Sequence, residues 1–396
     1  MTFVEETDTV IAPLPSRPRR QRAYIGAQAP VETILYGEED PYRWDEARTQ
    51  MFQSLIFAEA FRYHYTNCVS YQRYCKLEGV SPDTLTMPED IVRIPVIPAS
   101  MFKERAIRSV ADDAVAKVCR SSGTQGVISR VSRDNTSMER FVGSIRLSAE
   151  QLLDLRVRAQ VFNLGPDTDA AGDVWFPYVM SLISLLRPAN HYVVDGVFDP
   201  RNVVDDLMAL DEEIQPIIVG PPIFVVYLLQ YLADQGITLD LGARRGLLVT
   251  GGGWKTHTDE SVDSAEFRAW CTTQLGLNGV GVRDAYNMVE LNTVIFECEA
   301  AHKHIPPWLV VKALDSDTQE PVPAGEMGVL AYWDALPTGY PGFVISDDFG
   351  AVDPGRCECG RAGPTMSFTR RVTAADDRGC ARAMDAETEV AEEDRS

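Results

Sequence analysis

No apolar run of about 18 residues occurs anywhere in the 396-residue chain, which excludes a membrane-spanning helix as its organising element. Basic charge is in deficit as well. Lys and Arg number 37 against 58 Asp and Glu, a formal net charge of −21, and such a surface repels a nucleic-acid backbone instead of neutralising it. The first 22 residues have no apolar centre of the kind a secretory signal needs; they carry Pro13, Pro15, Pro18 and the basic cluster Arg17, Arg19, Arg20 and Arg22. A cytoplasmic location is therefore expected, and in that reducing setting the eight cysteines serve as ligands, nucleophiles or core residues more readily than as disulfides. The nucleotide-binding signature GxxxxGK[ST] is also missing, and no lysine follows Lys312.

What the chain does contain is a Ser/Gly/Thr loop over residues 119–130. Ser121, Ser122 and Thr124 alternate there with Gly123 and Gly126, after an apolar-leaning run and before Arg130. Glycines let the backbone N–H groups approach an anion, and the hydroxyls add donors, so the stretch reads as a phosphate cradle; the same residues also build ordinary surface turns.

Further on, residues 217–219 form a short β-branched run closed by Gly220, Pro221 and Pro222 before an apolar helix. Residues 246–250 run into Gly251, Gly252, Gly253, Trp254 and Lys255, and a third run leads from Gly279 to Tyr286. Buried strands separated by helix-length segments predict an open, mostly parallel α/β sheet, with ligands beyond the carboxyl ends of its strands. Residues 44–76 are expected to be helical, with Met51, Leu55 and Ala58 on one stripe and Phe52 and Ile56 on another. After Glu290 the texture changes to short strands near 308–311, 328–332, 343–345 and 350–352, which predicts a small antiparallel β unit. The expected divisions are a loosely attached segment 1–30, an α/β core 31–295, the β unit 296–372 and a short tail 373–396.

Cys298, His302, His304, Cys357 and Cys359 supply a Cys plus His pair and a Cys-x-Cys. Taking one of the two histidines, with His304 preferred, gives the four soft or borderline ligands of a tetrahedral structural Zn2+, and the alternative is free thiols on β-turns. Residues 175–192 are apolar and aromatic enough to line a pocket or to form a core helix.

In their order along the chain these motifs resemble the adenylate-forming superfamily of acyl-CoA synthetases, peptide adenylation domains and luciferases. The form Ser-Ser-Gly-Thr-x-Gly-x-x-Ser-Arg and the Gly-Gly-Trp-Lys at 252–255 are most similar to the acyl-protein synthetases of LuxE type. The resemblance covers about residues 90–380, and it implies an adenylate-forming large domain of parallel α/β sheets plus a small antiparallel β unit. By that resemblance Gly252 and Gly253 lie against the adenine and the acyl pocket, Tyr286 lies by the adenine, and Glu290 supports Mg2+. Val289 stands where the family has a threonine that reaches the α-phosphate, and cannot replace it. Asp348, more than Asp347, is implied to accept from the ribose hydroxyls, and Arg371 to close over the ribose. Arg378-Gly379-Cys380 resembles the family's terminal Arg-Gly-Cys, whose cysteine takes the acyl group as a thioester; a thiolate beside an arginine suits that chemistry. Relatives similar to phenylacetate-CoA ligase carry a comparable Cys, His and Cys-x-Cys arrangement, which supports the zinc set.

Full-length relatives have a further C-terminal domain bearing a lysine that assists adenylation; about 25 residues follow Arg371, so that domain is expected to be largely missing. Charge on the α-phosphate would then be offset by Mg2+, Arg130 and the loop donors. The implied function is ATP-dependent activation of a small carboxylic acid, fatty or aromatic, with capture by Cys380 and passage to a partner such as an acyl reductase. Two alternatives stand beside it: an acid-CoA or acid-amine ligase using the same first step, and a non-catalytic nucleotide or acid binder.

Overall fold

The protein, described here by a computed structural model over residues 30–37, 39–84, 87–122, 128–253 and 263–371, is built on two sheets. In the first, Ala189–His191, Ala159–Asn163, Gln215–Gly220, Leu247–Gly251 and Val282–Tyr286 lie side by side in that order, all parallel. The short strand Ile295–Phe296 pairs antiparallel to Val282–Tyr286 and closes that edge. Parallel neighbours need crossovers, and the helices Pro200–Ala209, Pro222–Asp234 and Ser264–Leu275 supply them. Their starts follow local chemistry. Asp199 accepts from the Arg201 N–H ahead of Pro200, and Asp263 accepts from the N–H groups of Ala265 and Glu266.

Side chains alternate across this sheet. Phe162, Ile218 and Leu248 join Leu228, Leu229 and Leu232 in one core, whereas Val161, Ile217 and Val249 point to the opposite face, toward the core that includes Phe141 and Ile145 of the helix Asn135–Leu152. The expected parallel α/β sheet is thus present, with its strands ending at Gly220, Gly251 and Tyr286.

The second sheet is antiparallel in the order Lys303–His304, Thr365–Arg371, Phe343–Asp353, Met327–Asp334 and Leu309–Leu314; Ile97–Pro98 pairs parallel to Phe343–Asp353. The helices Glu46–Asn67 and Val69–Leu77 pack against it through contacts such as Phe61 and Tyr71 on Phe343. Only one expected stripe turns inward: Phe52 and Ile56 are buried, whereas Met51 and Leu55 face solvent. The runs near 343–345 and 350–352 are not two strands but one, because Ser346 Oγ bridges the Leu330 carbonyl and the Asp348 N–H and carries the ladder past the paired aspartates. No helix of the described residues is long and apolar enough to cross a membrane.

Candidate active site

The strands Val115–Arg120 and Arg130–Asp134 form an antiparallel hairpin whose last pair is Arg120 and Arg130. One step beyond, the Ser121 N–H donates to the Ser129 carbonyl at 3.1 Å and Ser121 Oγ accepts from the Ser129 N–H at 3.1 Å, so the base of the Ser/Gly/Thr loop is stitched shut. Arg120 is anchored twice to Asp173, through its N–H at 2.9 Å and its Nε at 2.7 Å. Ser121 is half-buried and Ser122 exposed; Gly123, Thr124 and Gly126 lie outside the described residues, as do Trp254, Lys255 and Cys380. Arg130 is exposed at the hairpin base.

At the carboxyl end of Val282–Tyr286 the chain turns through residues 287–291. The Tyr286 hydroxyl donates to Asp348 Oδ2 at 2.5 Å, and its ring stacks on Tyr332 with centroids 5.9 Å apart. Burial and the Asp348 charge both push that hydroxyl's pKa well above its ordinary value, so it stays a donor. Of the paired acids it is Asp348 that faces inward, 7% exposed; Asp347 is exposed and pairs with Lys103 at 3.7 Å. Arg371 stands opposite Asp348 in the strand register.

Asn287, which replaces a small residue of the resembled motif, braces the turn: its Oδ1 accepts from Trp175 Nε1 at 2.5 Å and its Nδ2 donates to the Thr293 carbonyl at 2.8 Å. Glu290 is 5% exposed. Burial raises its pKa, opposed by a hydrogen bond from the Ser129 hydroxyl and by the charge of Arg133. Ser129, at the base of the loop, therefore stands beside the turn.

Arg133 was not visible as a site residue in the sequence. It is fully buried; Nη2 donates to the carbonyls of Val289 at 2.7 Å and Leu291 at 3.0 Å, Nε donates to Asn292 Oδ1 at 3.1 Å, and Cζ lies 3.6 Å from the centre of the Trp175 ring. The one available signal is spacing. Three residues along a strand separate it from exposed Arg130, which puts the two arginines on opposite faces.

An apolar cavity of about 870 Å³, open mouth included, lies between the parallel sheet and the helices Asn135–Leu152 and Trp175–Ser181. Ile217, Val219 and Val249 form its floor and Ile145 and Ala149 its roof, while Gly251, Gly252 and Asn287 border it at the carboxyl edge. Gly252 has φ +76°, and a Cβ there would meet the Phe176 ring at 2.7 Å, so a glycine is required on both counts. Residues 175–192 do both things expected of them: Trp175 packs in the core, and Phe176, Val179, Met180 and Ile183 line the cavity.

On the β unit, the ligand atoms of Cys298, His304, Cys357 and Cys359 all lie within 4.8 Å of one another. Cys298 Sγ and Cys357 Sγ are 3.7 Å apart, and Cys359 Sγ is 3.3 Å from His304 Nε2. A tetrahedron with metal–sulfur bonds of about 2.3 Å has sulfur–sulfur edges of about 3.8 Å, so the donor set fits zinc. Burial lowers the His304 pKa to about 4, which keeps the imidazole neutral, the form that ligates metals. His302 is exposed and offers only its carbonyl, to the Cys298 N–H at 2.9 Å.

Over residues 22–388 the chain matches the family model described as acyl-protein synthetase, LuxE. It is 35% identical over 367 residues to the long-chain-fatty-acid–luciferin-component ligase of Aliivibrio fischeri, spanning 92% of this chain and 96% of that one. It is likewise 35% identical over 365 residues to the protein of the same name from Vibrio harveyi, spanning 91% and 94%. The fold is similar to that of 2-hydroxyisobutyryl-CoA ligase in an open conformation with 2-HIB-AMP and CoA, with a TM-score of 0.67 over 85% of this chain and 74% of that one; at 14% identity this likeness speaks for the fold alone.

Proposed function

Because the chain belongs to the LuxE acyl-protein synthetase family, we propose that it activates a long-chain fatty acid with ATP and hands the acyl group, through Cys380, to an acyl reductase. It is an AMP-forming acid ligase: the fatty carboxylate attacks the α-phosphate, pyrophosphate leaves, and an acyl-adenylate results. The observation that carries this reading is a convergence at one sheet edge. The mouth of the apolar cavity at Gly252 and Asn287, the buried carboxylate of Glu290 and the base of the Ser/Gly/Thr loop all meet there, with the Ser129 hydroxyl beside Glu290.

In this reading Ser121, Ser122, Gly123, Thr124 and Gly126 hold the phosphates, and Arg130 at the hairpin base adds positive charge. Asp348, oriented by the Tyr286 hydroxyl, accepts from the ribose, and Arg371 closes beside it. Glu290 would hold Mg2+, whose charge offsets that building on the phosphates. The fit rests on burial, since a carboxylate whose charge burial disfavours is stabilised by an adjacent cation. Cys298, His304, Cys357 and Cys359 would hold zinc as a closed structural site that ties the 298–304 segment to the 357–361 turn. The Cys380 thiolate then attacks the acyl carbonyl: the carbon–sulfur bond forms and AMP leaves. ATP as substrate and reduced thiols favour a cytoplasmic setting.

Intact-protein mass after incubation with ATP, Mg2+ and tetradecanoate tests the transfer. An increase equal to the acid minus water, lost in Cys380→Ala, is expected. Pyrophosphate release with no change in mass would contradict it and point to CoA or an amine as acceptor.

A further inference from the structure

The cavity has two unlike ends. At the carboxyl edge of the sheet it is bordered by glycine backbone and Asn287; at the amino edge the lining passes to Leu153, Leu155 and one long cationic side chain, Arg187. Arg187 is half-buried and its guanidinium is fastened: Nε donates to the Arg156 carbonyl at 3.2 Å and Nη1 to the Leu186 carbonyl at 2.8 Å. Both carbonyls belong to segments just outside the strands Ala159–Asn163 and Ala189–His191.

We infer that Arg187 is the end stop of the acyl channel and sets the longest chain the protein accepts. This rests on the reading of the cavity as the acyl site.

The strand register gives the channel's length. Ala189 pairs with Val161, so Arg187, two residues earlier, is level with Ala159 and with its partner Gln215. At the other end Gly251 pairs with Ala285, one step beyond the level at which Gly220 meets Thr250. Six residue steps separate Gln215 from the level of Gly251, which at about 3.3 Å per residue is about 20 Å. An extended chain with carbon–carbon bonds of about 1.5 Å advances about 1.3 Å per carbon, so about 15 carbons fill that distance.

The chemistry of the stop makes the limit sharp. Each methylene added inside the channel strengthens binding by about fourfold, because it leaves water for an apolar wall. A chain that outruns the channel meets a guanidinium held by two carbonyls and can advance only by breaking those bonds and stripping water from a charge. Removing the side chain beyond Cβ frees about 5 Å, room for about four further carbons.

The test is equilibrium binding of straight-chain carboxylates from octanoate to eicosanoate, read by displacement of a fluorescent fatty acid, with pyrophosphate release followed on the same samples. In the unaltered protein affinity should climb to about tetradecanoate or hexadecanoate and then break. Arg187→Ala should move the break to longer acids and raise the octadecanoate-to-tetradecanoate affinity ratio at least tenfold. Leu155→Trp, which fills the same end, should move the break to shorter acids and decides the matter if Arg187→Ala does not fold. A break unmoved in folded variants, or no fatty-acid binding at all, overturns the end stop. A moved break without pyrophosphate from any acid leaves the end stop standing and removes adenylation; pyrophosphate release with one length profile in all proteins does the reverse.

Discussion

Arg133 is a cation with no exposure, and its tolerance there comes from complete engagement on one side. It bonds the carbonyls of Val289 and Leu291, the side chain of Asn292 and, at 3.3 Å, the Tyr340 hydroxyl, and its charge acts on Glu290 and Asp334. Nη1 has no hydrogen-bond partner among the described residues. Nη2 alone serves the two carbonyls on either side of Glu290 while Nε reaches Asn292, a division between two nitrogens that the single ammonium of lysine has no geometry to reproduce. Arg133→Met should therefore cost about 3 kcal/mol of stability by stranding buried carbonyls, and Arg133→Lys should recover little of it. Thermal denaturation followed beside pyrophosphate release checks this, and a lysine variant equal to the unaltered protein in both would contradict the account. The sequence conceals Arg133 for a physical reason. Its hydrogen-bond partners lie 156 to 207 residues away, so no local window holds both sides of the contact. Tyr286 and Glu290 are legible because their motif is contiguous, and Asp348 because a second acid beside it completes a recognisable pair.

Among the elements, the Cys/His set is proposed to do for the β unit what apolar packing does for the parallel sheet. With a metal bound it would join the turn after Phe296 to the turn before Thr365, two loops that also meet through the edge pairing of Lys303–His304 with Thr365–Arg371 and the ion pair of Arg361 with Glu299 at 2.7 Å. Purified protein should hold about one zinc per chain, and Cys357→Ser should lose it together with several kcal/mol of stability, read as a fall in the melting temperature. Purified protein that holds no zinc, or a Cys357→Ser variant that melts with the unaltered protein, would contradict the assignment. Here the sequence was informative because ligand chemistry is tied to residue type, and the fold sets buried His304, not exposed His302, beside Cys359. It was less informative about Phe343–Asp353, where Ser346, Asp347 and Asp348 carry the composition of a turn and are held in a strand by the bond from Ser346 to Leu330 and by the pairing of Asp348 with Arg371. The two helical stripes near Phe52 are equally apolar in sequence, and which one faces inward is decided by the β unit they pack on.

For the whole molecule, the arrangement of the two sheets explains why residues from about 120 to 371 converge. The parallel sheet directs three strand ends to one edge, the hairpin brings Ser129 at the base of the Ser/Gly/Thr loop there, and the long strand Phe343–Asp353 brings Asp348 to Tyr286. The α/β plan was readable from strand and helix spacing. Of the cavity only the wall at residues 175–192 was, since Val161, Ile217 and Val249 look like any core-facing strand residues until the opposing helices are placed.

The step that defines this edge is formation of an acyl-adenylate. Tetradecanoate-dependent exchange of labelled pyrophosphate into ATP, in the presence of Mg2+, measures that step without regard to the acceptor. Acid-dependent exchange is expected, falling by about a hundredfold in Glu290→Gln from the loss of charge where the cation and phosphates meet. Exchange that is absent with every fatty acid, or that persists undiminished in Glu290→Gln, would contradict it.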